Sequence, residues 1–287
     1  MITLEAPAKI NLTLEALSKR PDGYHEIRSV MQSISLCDSF SFSPAKKIVF
    51  KCDNAAWDAK QSLIAKAVDL LKEAADCQQG ATIELAKRIP LSSGLGGDSS
   101  DAAAVLIGLN RLWGLGLSPG EMARLASRLG SDVPFFLCGG TALAQGRGED
   151  VSPLPPLPRS RVVLLMPPVR RCSGKTGHLY AGLTPLHYTG GLKTEELVSL
   201  LTKGGDLAPD NLFNVFDSVA DEAFEGLADY RQRFIQAGAE NIHLSGSGPA
   251  LFTLLKEKAK AENIYQNLKD MGLEAYLAET DVSIGVV

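Results

Sequence analysis

The densest chemical signal in the chain lies at residues 90–100, PLSSGLGGDSS, which run straight into DAAAVLIGLNRLWG. Gly94, Gly96 and Gly97 permit backbone conformations and close approaches that a side chain would forbid. Beyond Ser100, the apolar residues Ala102, Val105, Leu106, Leu109 and Trp113 fall on one stripe of an amphipathic helix. A glycine-rich turn therefore feeds a helix, with Ser99 and Ser100 as its expected N-cap residues. Such a turn gathers backbone N–H groups at the positive end of the helix dipole, where a nucleotide triphosphate can sit. A plain strand-to-helix turn with a cap would need fewer glycines. Spacing excludes two other nucleotide fingerprints. Ser99 stands where G-x-G-x-x-G requires its third glycine, and Gly174-Lys175-Thr176, the tail of a Walker A loop, has Val169 at the position of its first glycine. Lys175 accordingly reads as an ordinary solvated loop lysine.

A second set of polar residues lies at 9–14, where Ile10, Leu12 and Leu14 alternate with Lys9, Asn11 and Thr13. That period of two predicts a half-buried strand, and two polar residues aimed one way, Lys9 and Asn11, suggest a cleft. Asp132 follows Gly130, which ends a helix opened by the Ser118-x-x-Glu121 capping box, so its residue-level reading is the N-cap of the next helix. His25 alone reads as a turn residue and Tyr24 as a partly buried aromatic. The cysteines Cys37, Cys52, Cys77, Cys138 and Cys172 are odd in number and lack C-x-x-C spacing, which argues for reduced thiols rather than disulfides or zinc. His25, His178, His187 and His243 show no metal-binding spacing either.

These residues need a scaffold of mixed elements. Strands are predicted near 48–52, 81–86, 139–144, 161–166, 241–245 and 250–255, with a final strand pair, and helices at 61–76, between 194 and 238, and near 257–271. The PLPPLP run at 153–158 reads as a stiff connector. It divides the chain into two α+β domains, 1–155 and 156–287. At 287 residues, 45% hydrophobic and 22% charged, the chain can bury cores for both. A net charge of −4 gives no sequence-wide positive field for nucleic acid or an anionic membrane surface. No stretch reaches the roughly 18 apolar residues that span a bilayer, and Glu5 and Lys9 break any signal-type run, so a cytoplasmic location is expected.

Three separated segments, PAKINL at 7–12, GLGGDSSDAA at 94–103 and LSGSGPALF at 244–252, together resemble the GHMP kinase superfamily. Within it, RPDGYHE at 20–26 and SDVPFF at 131–136 resemble the branch that phosphorylates the 2-hydroxyl of a cytidine diphosphate-linked methylerythritol in isoprenoid precursor synthesis. The resemblance implies a ribosomal protein S5 domain 2-like N-terminal domain, a ferredoxin-like C-terminal domain and a cleft between them. It implies ATP as donor with Mg²⁺ on its phosphates, a small-molecule partner, and a monomer or weak homodimer. By matching motifs, Lys9 and Asp132 take the catalytic roles. Pro90, Leu91, Ser92, Ser93, Gly94, Leu95, Gly96, Gly97, Asp98, Ser99 and Ser100 form the ATP phosphate loop, and Gly246, Ser247 and Gly248 close on the phosphates from the other domain. Asn11 lies beside the acceptor, Tyr24 and His25 hold the cytosine, and Tyr180 supplies a second aromatic face. Asp98 and Asp101 depart from the commoner pattern GLGGGSSNAA; a carboxylate there must point away from phosphate or help to hold a metal ion. The same superfamily includes kinases of mevalonate and homoserine, against which the Tyr24-His25 pair argues. Intact Lys9 and Asp132 argue against a silent nucleotide-binding regulator.

Overall fold

Two long strands, β1 (Ile2–Lys19) and β2 (His25–Ala45), pair antiparallel along most of their length, with Lys9 opposite Ser33 and Asn11 opposite Met31. The turn between them is closed by hydrogen bonds from Arg20 N to the Tyr24 carbonyl (2.8 Å) and from Tyr24 N to Asp22 Oδ1 (3.1 Å). Register shifts fall between Pro7 and Ala8 and between Asn11 and Thr13. They bracket the two polar residues and re-aim them, as bulges do beside functional sites. The computed structural model describes residues 1–169 and 174–280; Cys172 and the second strand of the expected terminal pair lie outside the described residues.

The chain continues through β3 (Val49–Cys52), α1 (Leu63–Ala74), β4 (Gly80–Ala86), α2 (Gly97–Trp113), α3 (Pro119–Leu129), α4 (Val133–Cys138), β5 (Thr141–Gly146) and β6 (Asp150–Pro153). After PLPPLP come β7 (Arg161–Leu165), α5 (Lys175–Gly182), α6 (Leu192–Thr202), β8 (Phe213–Asn214), α7 (Ala220–Ala223), α8 (Leu227–Gln236), β9 (His243–Leu244), β10 (Leu251–Leu255), α9 (Lys258–Asp270) and β11 (Ala275–Glu279). One sheet has the order β3-β4-β2-β1-β8, with β5 and β6 branching from β2, and the other is antiparallel in the order β11-β7-β10-β9. Thus β8, from the second half of the sequence, pairs parallel with β1 of the first.

Helix α2 packs against the first sheet in a core that includes Phe40, Phe42, Ile83, Leu106 and Phe135. A separate core joins the sheets: Ala8, Ile10 and Leu12 of β1 meet Val162, Leu164 and Phe252 of β7 and β10. Burying a side chain such as Ile10 or Leu12 contributes roughly 1.5–3 kcal/mol.

Several expectations are corrected. Strand β1 is buried on both faces rather than half-buried, because its polar face is covered as well: Thr13 Oγ1 accepts from Thr194 Oγ1 (2.9 Å), and Glu15 accepts from Thr194 N (2.7 Å). The N-cap of α2 is Gly96, in left-handed conformation, and Ser99 and Ser100 lie in the first turn instead. This helix is also buried around its whole circumference from Ser100 to Leu109, not amphipathic, because α1, α3 and α4 cover the side away from the sheet. His25 opens the strand β2 rather than sitting in a turn. The capping box at Ser118 and Glu121 is present.

Candidate active site

Lys9 is only 3% exposed, and its Nζ donates to Asn11 Oδ1 at 2.6 Å and lies 3.7 Å from Asp132 Oδ2. Burial lowers its pKa from the ordinary lysine value, with the neighbouring Asp132 charge opposing that shift. Asn11 is oriented in turn, since its Nδ2 donates to Ser29 Oγ (2.7 Å) and Ser29 donates to the Thr13 carbonyl (2.6 Å). Asp132 stands at the N-terminus of α4 but makes no side-chain cap hydrogen bond, which leaves its carboxylate to face Lys9.

The phosphate-loop candidate packs against Lys9. Lys9 N donates to the Leu95 carbonyl (2.9 Å), and Ser245 Oγ donates to the carbonyls of Lys9 and Gly94, joining β1, the loop and the turn after β9. Glycine is required at that junction: a Cβ on Gly94, with φ +91°, would lie 2.3 Å from the Ser245 carbonyl oxygen, and one on Gly246, with φ +55°, would lie 2.7 Å from Lys9 Nζ. Asn214 on β8 supports the second loop, with Nδ2 donating to the carbonyls of Leu244 and Gly246 at 2.9 Å each.

Both carboxylates that depart from the common loop pattern are committed elsewhere. Asp98 faces the N-terminus of α1, accepting from Ser62 Oγ and Leu63 N. Asp101 accepts from Lys87 Nζ (2.7 Å), which also pairs with Asp38, and Asp38 Oδ1 accepts from Arg88 N (2.5 Å) and Ile89 N (2.8 Å). Burial, aided by the nearby Asp38 and opposed by Lys87, pushes the Asp101 carboxyl well above the usual carboxylate range. Burial works against the Lys87 charge, but Asp101 and Asp38 outweigh it and hold that ammonium above its ordinary pKa. This buried group ties the strand-side entry of the loop, at 88–89, to its helix-side exit at Asp101.

At the other end of the cleft the His25 ring stacks on Tyr180 with centroids 4.9 Å apart, and Tyr188 Oη lies 3.3 Å from His25 Nε2. Burial first, then the Lys19 charge, lowers the His25 pKa, so its ring favours the neutral form. Burial pushes the Tyr180 phenol up. Tyr24 sits apart at the rim, 54% exposed, with the Arg147 guanidinium 4.9 Å above its ring.

One cleft of about 860 Å³ connects these groups. Its lining includes Lys9, Asn11, Tyr24, His25, Asp132, Tyr180, Gly246 and Ser247, together with Pro90, Leu91, Ser92, Ser93, Gly94, Gly96, Gly97, Asp98 and Ser99, while Trp57, Gln61 and Ser62 form part of its wall. Leu95, Ser100 and Gly248 lie outside the lining, and Leu95 is packed into the core that joins the sheets.

The chain is similar to known proteins over both halves. Residues 62–140 match the GHMP kinases N terminal domain, and residues 197–273 match GHMP kinases C terminal. A 4-diphosphocytidyl-2-C-methyl-D-erythritol kinase of Dehalococcoides mccartyi is 50% identical over 280 residues, covering 98% of each chain. This chain belongs to the GHMP kinase family. As a GHMP kinase it is an ATP-dependent phosphotransferase with the two-part mixed α/β fold of that family. A further relative of this GHMP kinase, the 4-diphosphocytidyl-2-C-methyl-D-erythritol kinase of Symbiobacterium thermophilum, is 39% identical over 281 residues, 96% of this chain and 99% of that one. Among solved structures, the crystal structure of a 4-(cytidine 5'-diphospho)-2C-methyl-D-erythritol kinase superposes with a TM-score of 0.81 at 32% identity, covering 97% of this chain and 98% of the other.

Residue patterning missed four supports of this kinase site. Ser29 sits on a strand that was not read, Asn214 on a two-residue strand too short to leave a period, and Asp38 and Lys87 show their partnership only in space. Lys175, read as a solvated loop lysine, is instead half-buried on the first turn of α5, where its Nζ donates to the carbonyls of Ser92 (2.8 Å) and Gly248.

Proposed function

We propose that this GHMP kinase transfers the γ-phosphoryl group of ATP to the 2-hydroxyl of 4-diphosphocytidyl-2-C-methyl-D-erythritol. The observation that carries this reading is a single cleft lined by the facing Lys9 and Asp132, by the glycine loop and by the stacked rings of His25 and Tyr180, with Tyr24 exposed on its lining. The full-length similarity to kinases of that name supports the same substrate.

In this mechanism the backbone N–H groups of the 90–100 turn, with Gly246 and Ser247 opposite, hold the triphosphate. His25 and the aromatic rings select the cytosine, and Asn11 positions the acceptor. Asp132 accepts the hydroxyl proton. A carboxylate is too weak a base to ionise an alcohol beforehand, so the proton moves late, as a loose phosphoryl-transfer transition state allows. Lys9 orients Asp132 and offsets charge near the transferred group, and positioning supplies most of the rate. Asp98 and Asp101 are bound to α1 and to Lys87, so the loop offers no carboxylate pair to a resident metal. Mg²⁺ belongs to this reading only as the counter-ion that ATP brings, supplying charge neutralisation on its phosphates. Among the described residues no helix is long and apolar enough to cross a membrane. As part of the same proposal, the enzyme is assigned to the cytoplasm as a monomer or weak homodimer with a small-molecule partner, built as domains 1–155 and 156–287.

The test is ADP release from MgATP with a panel of acceptors: the cytidine diphosphate-linked methylerythritol, the same polyol phosphate without cytidine, mevalonate and homoserine. Turnover is expected with the first alone. Equal turnover with the cytidine-free compound would overturn the cytosine site, and preference for mevalonate or homoserine would overturn the substrate.

A further inference from the structure

A triphosphate is multiply anionic, yet neither glycine loop carries a cation: residues 90–100 and 244–249 contain no lysine or arginine. Beyond the Mg²⁺ that ATP brings, any side-chain charge compensation must come from elsewhere in the cleft. Among the described residues its lining includes Lys9, Lys19, Lys87, Arg147 and Lys175. Lys87 is bound between Asp38 and Asp101. Lys9 faces Asp132, at the point of transfer. Lys19 and Arg147 belong to the aromatic end, the first acting on His25 and the second lying over Tyr24.

Lys175 occupies a different place. Its ammonium lies at the seam between the two loops, donating to the carbonyl of Ser92 in one and of Gly248 in the other. The next residue makes a second contact on the same side, with Thr176 Oγ1 2.8 Å from Ser247 Oγ. The first turn of α5 therefore clasps both loops at the point where their backbones converge. Both of those acceptors are neutral carbonyls, which bind an ammonium less strongly than a phosphate oxygen does.

We propose that Lys175 is a triphosphate-binding residue of this kinase, its ammonium moving from the loop carbonyls to the phosphate oxygens of bound ATP. A Walker A lysine reaches the β- and γ-phosphates from within its own glycine loop; here the same service comes from α5, across the seam. The inference rests on the cleft as the ATP site and is independent of the identity of the acceptor.

The experiment is calorimetric titration of ATP, ADP and AMP, with Mg²⁺, into the full chain and its Lys175→Met and Lys175→Arg variants, no acceptor present. A lost charge-assisted contact is expected to weaken ATP binding on the order of tenfold in Lys175→Met. The effect should shrink as phosphates are removed, leave AMP unchanged, and be largely restored by Lys175→Arg. Unchanged AMP binding also reports that the variant has folded. Equal weakening of all three nucleotides, which would mark a purely structural clasp, overturns the proposal, as does wild-type affinity for ATP. If the acceptor panel fails while the ATP-graded loss appears, the substrate reading falls and this one stands.

Discussion

With its ammonium almost wholly removed from water, Lys9 keeps its charge by virtue of Asp132 and Asn11, and that makes its protonation sensitive to pH. Its folded pKa is depressed, so kcat, which needs the ammonium, is expected to decline with rising pH before an ordinary lysine of pKa about 10.4 would deprotonate. Lys9→Arg, permanently charged, should push that alkaline limb upward; a limb that stays in place would assign it to another group. The same shift has a sign for stability: at intermediate alkaline pH the unfolded chain holds more protons at this position, so the Lys9 contribution to stability improves as pH rises. Asp132→Asn retains shape and removes the proton acceptor. Turnover should fall by roughly 10²–10⁴-fold with ATP affinity unchanged, and an undiminished kcat would exclude Asp132 from the chemistry. Alternation with Asn11 marks Lys9 only as one of two polar residues aimed at a cleft, and residue patterning alone reads Asp132 as a helix cap. The catalytic roles of both come from motif resemblance, and Asp132 does stand at the N-cap position of α4 but makes no cap bond.

At the scale of elements, the loop is held by what lies beneath it. Lys87→Met would leave Asp38 and Asp101 buried without their shared cation, a loss of about 3–5 kcal/mol that a thermal melt would reveal. Asp101→Asn acts differently. The folded pKa of Asp101 is raised, so the folded protein binds the extra proton and stability falls as pH climbs through that value. The amide should remove the decline that lies between the ordinary carboxylate range and the raised folded pKa, with no Asp101 effect on the slope above it; an unchanged slope inside that window would mean that another group titrates. The glycine turn and its helix were readable because glycine spacing and apolar periodicity are local. Strand β2 was missed although Ser39, Phe40, Ser41, Phe42 and Ser43 alternate strictly, since bulges and polar residues break the pattern on either side of them. The Asp38–Lys87–Asp101 group had no sequence signal, because its members are neighbours only after β2, β4 and α2 have assembled.

For the molecule as a whole, β8 ties the two halves of the sequence together, and Asn214 makes that tie bear on the site. Asn214→Ala would strand the buried carbonyls of Leu244 and Gly246 and the N–H of Phe216, costing about 2–3 kcal/mol. It should also lower kcat/KM for ATP, because the second glycine loop loses its brace; a variant as stable and as active as the parent would deny the brace. Mixed α+β character could be read from periodicity, but the parallel bridge between β1 and β8 could not, because two residues carry no period. Nor could the His25–Tyr180 stack, whose partners are brought together only by tertiary packing. The cleft wall has one more consequence. The chain has two tryptophans: Trp113 is packed in the core with its indole N–H donating to the Gly80 carbonyl (3.2 Å), while Trp57 borders the cavity. The enzyme therefore carries an intrinsic fluorophore in the wall of its site and an internal reference away from it, so filling the cleft should change the emission of the first and spare the second, and Trp57→Phe should silence the response.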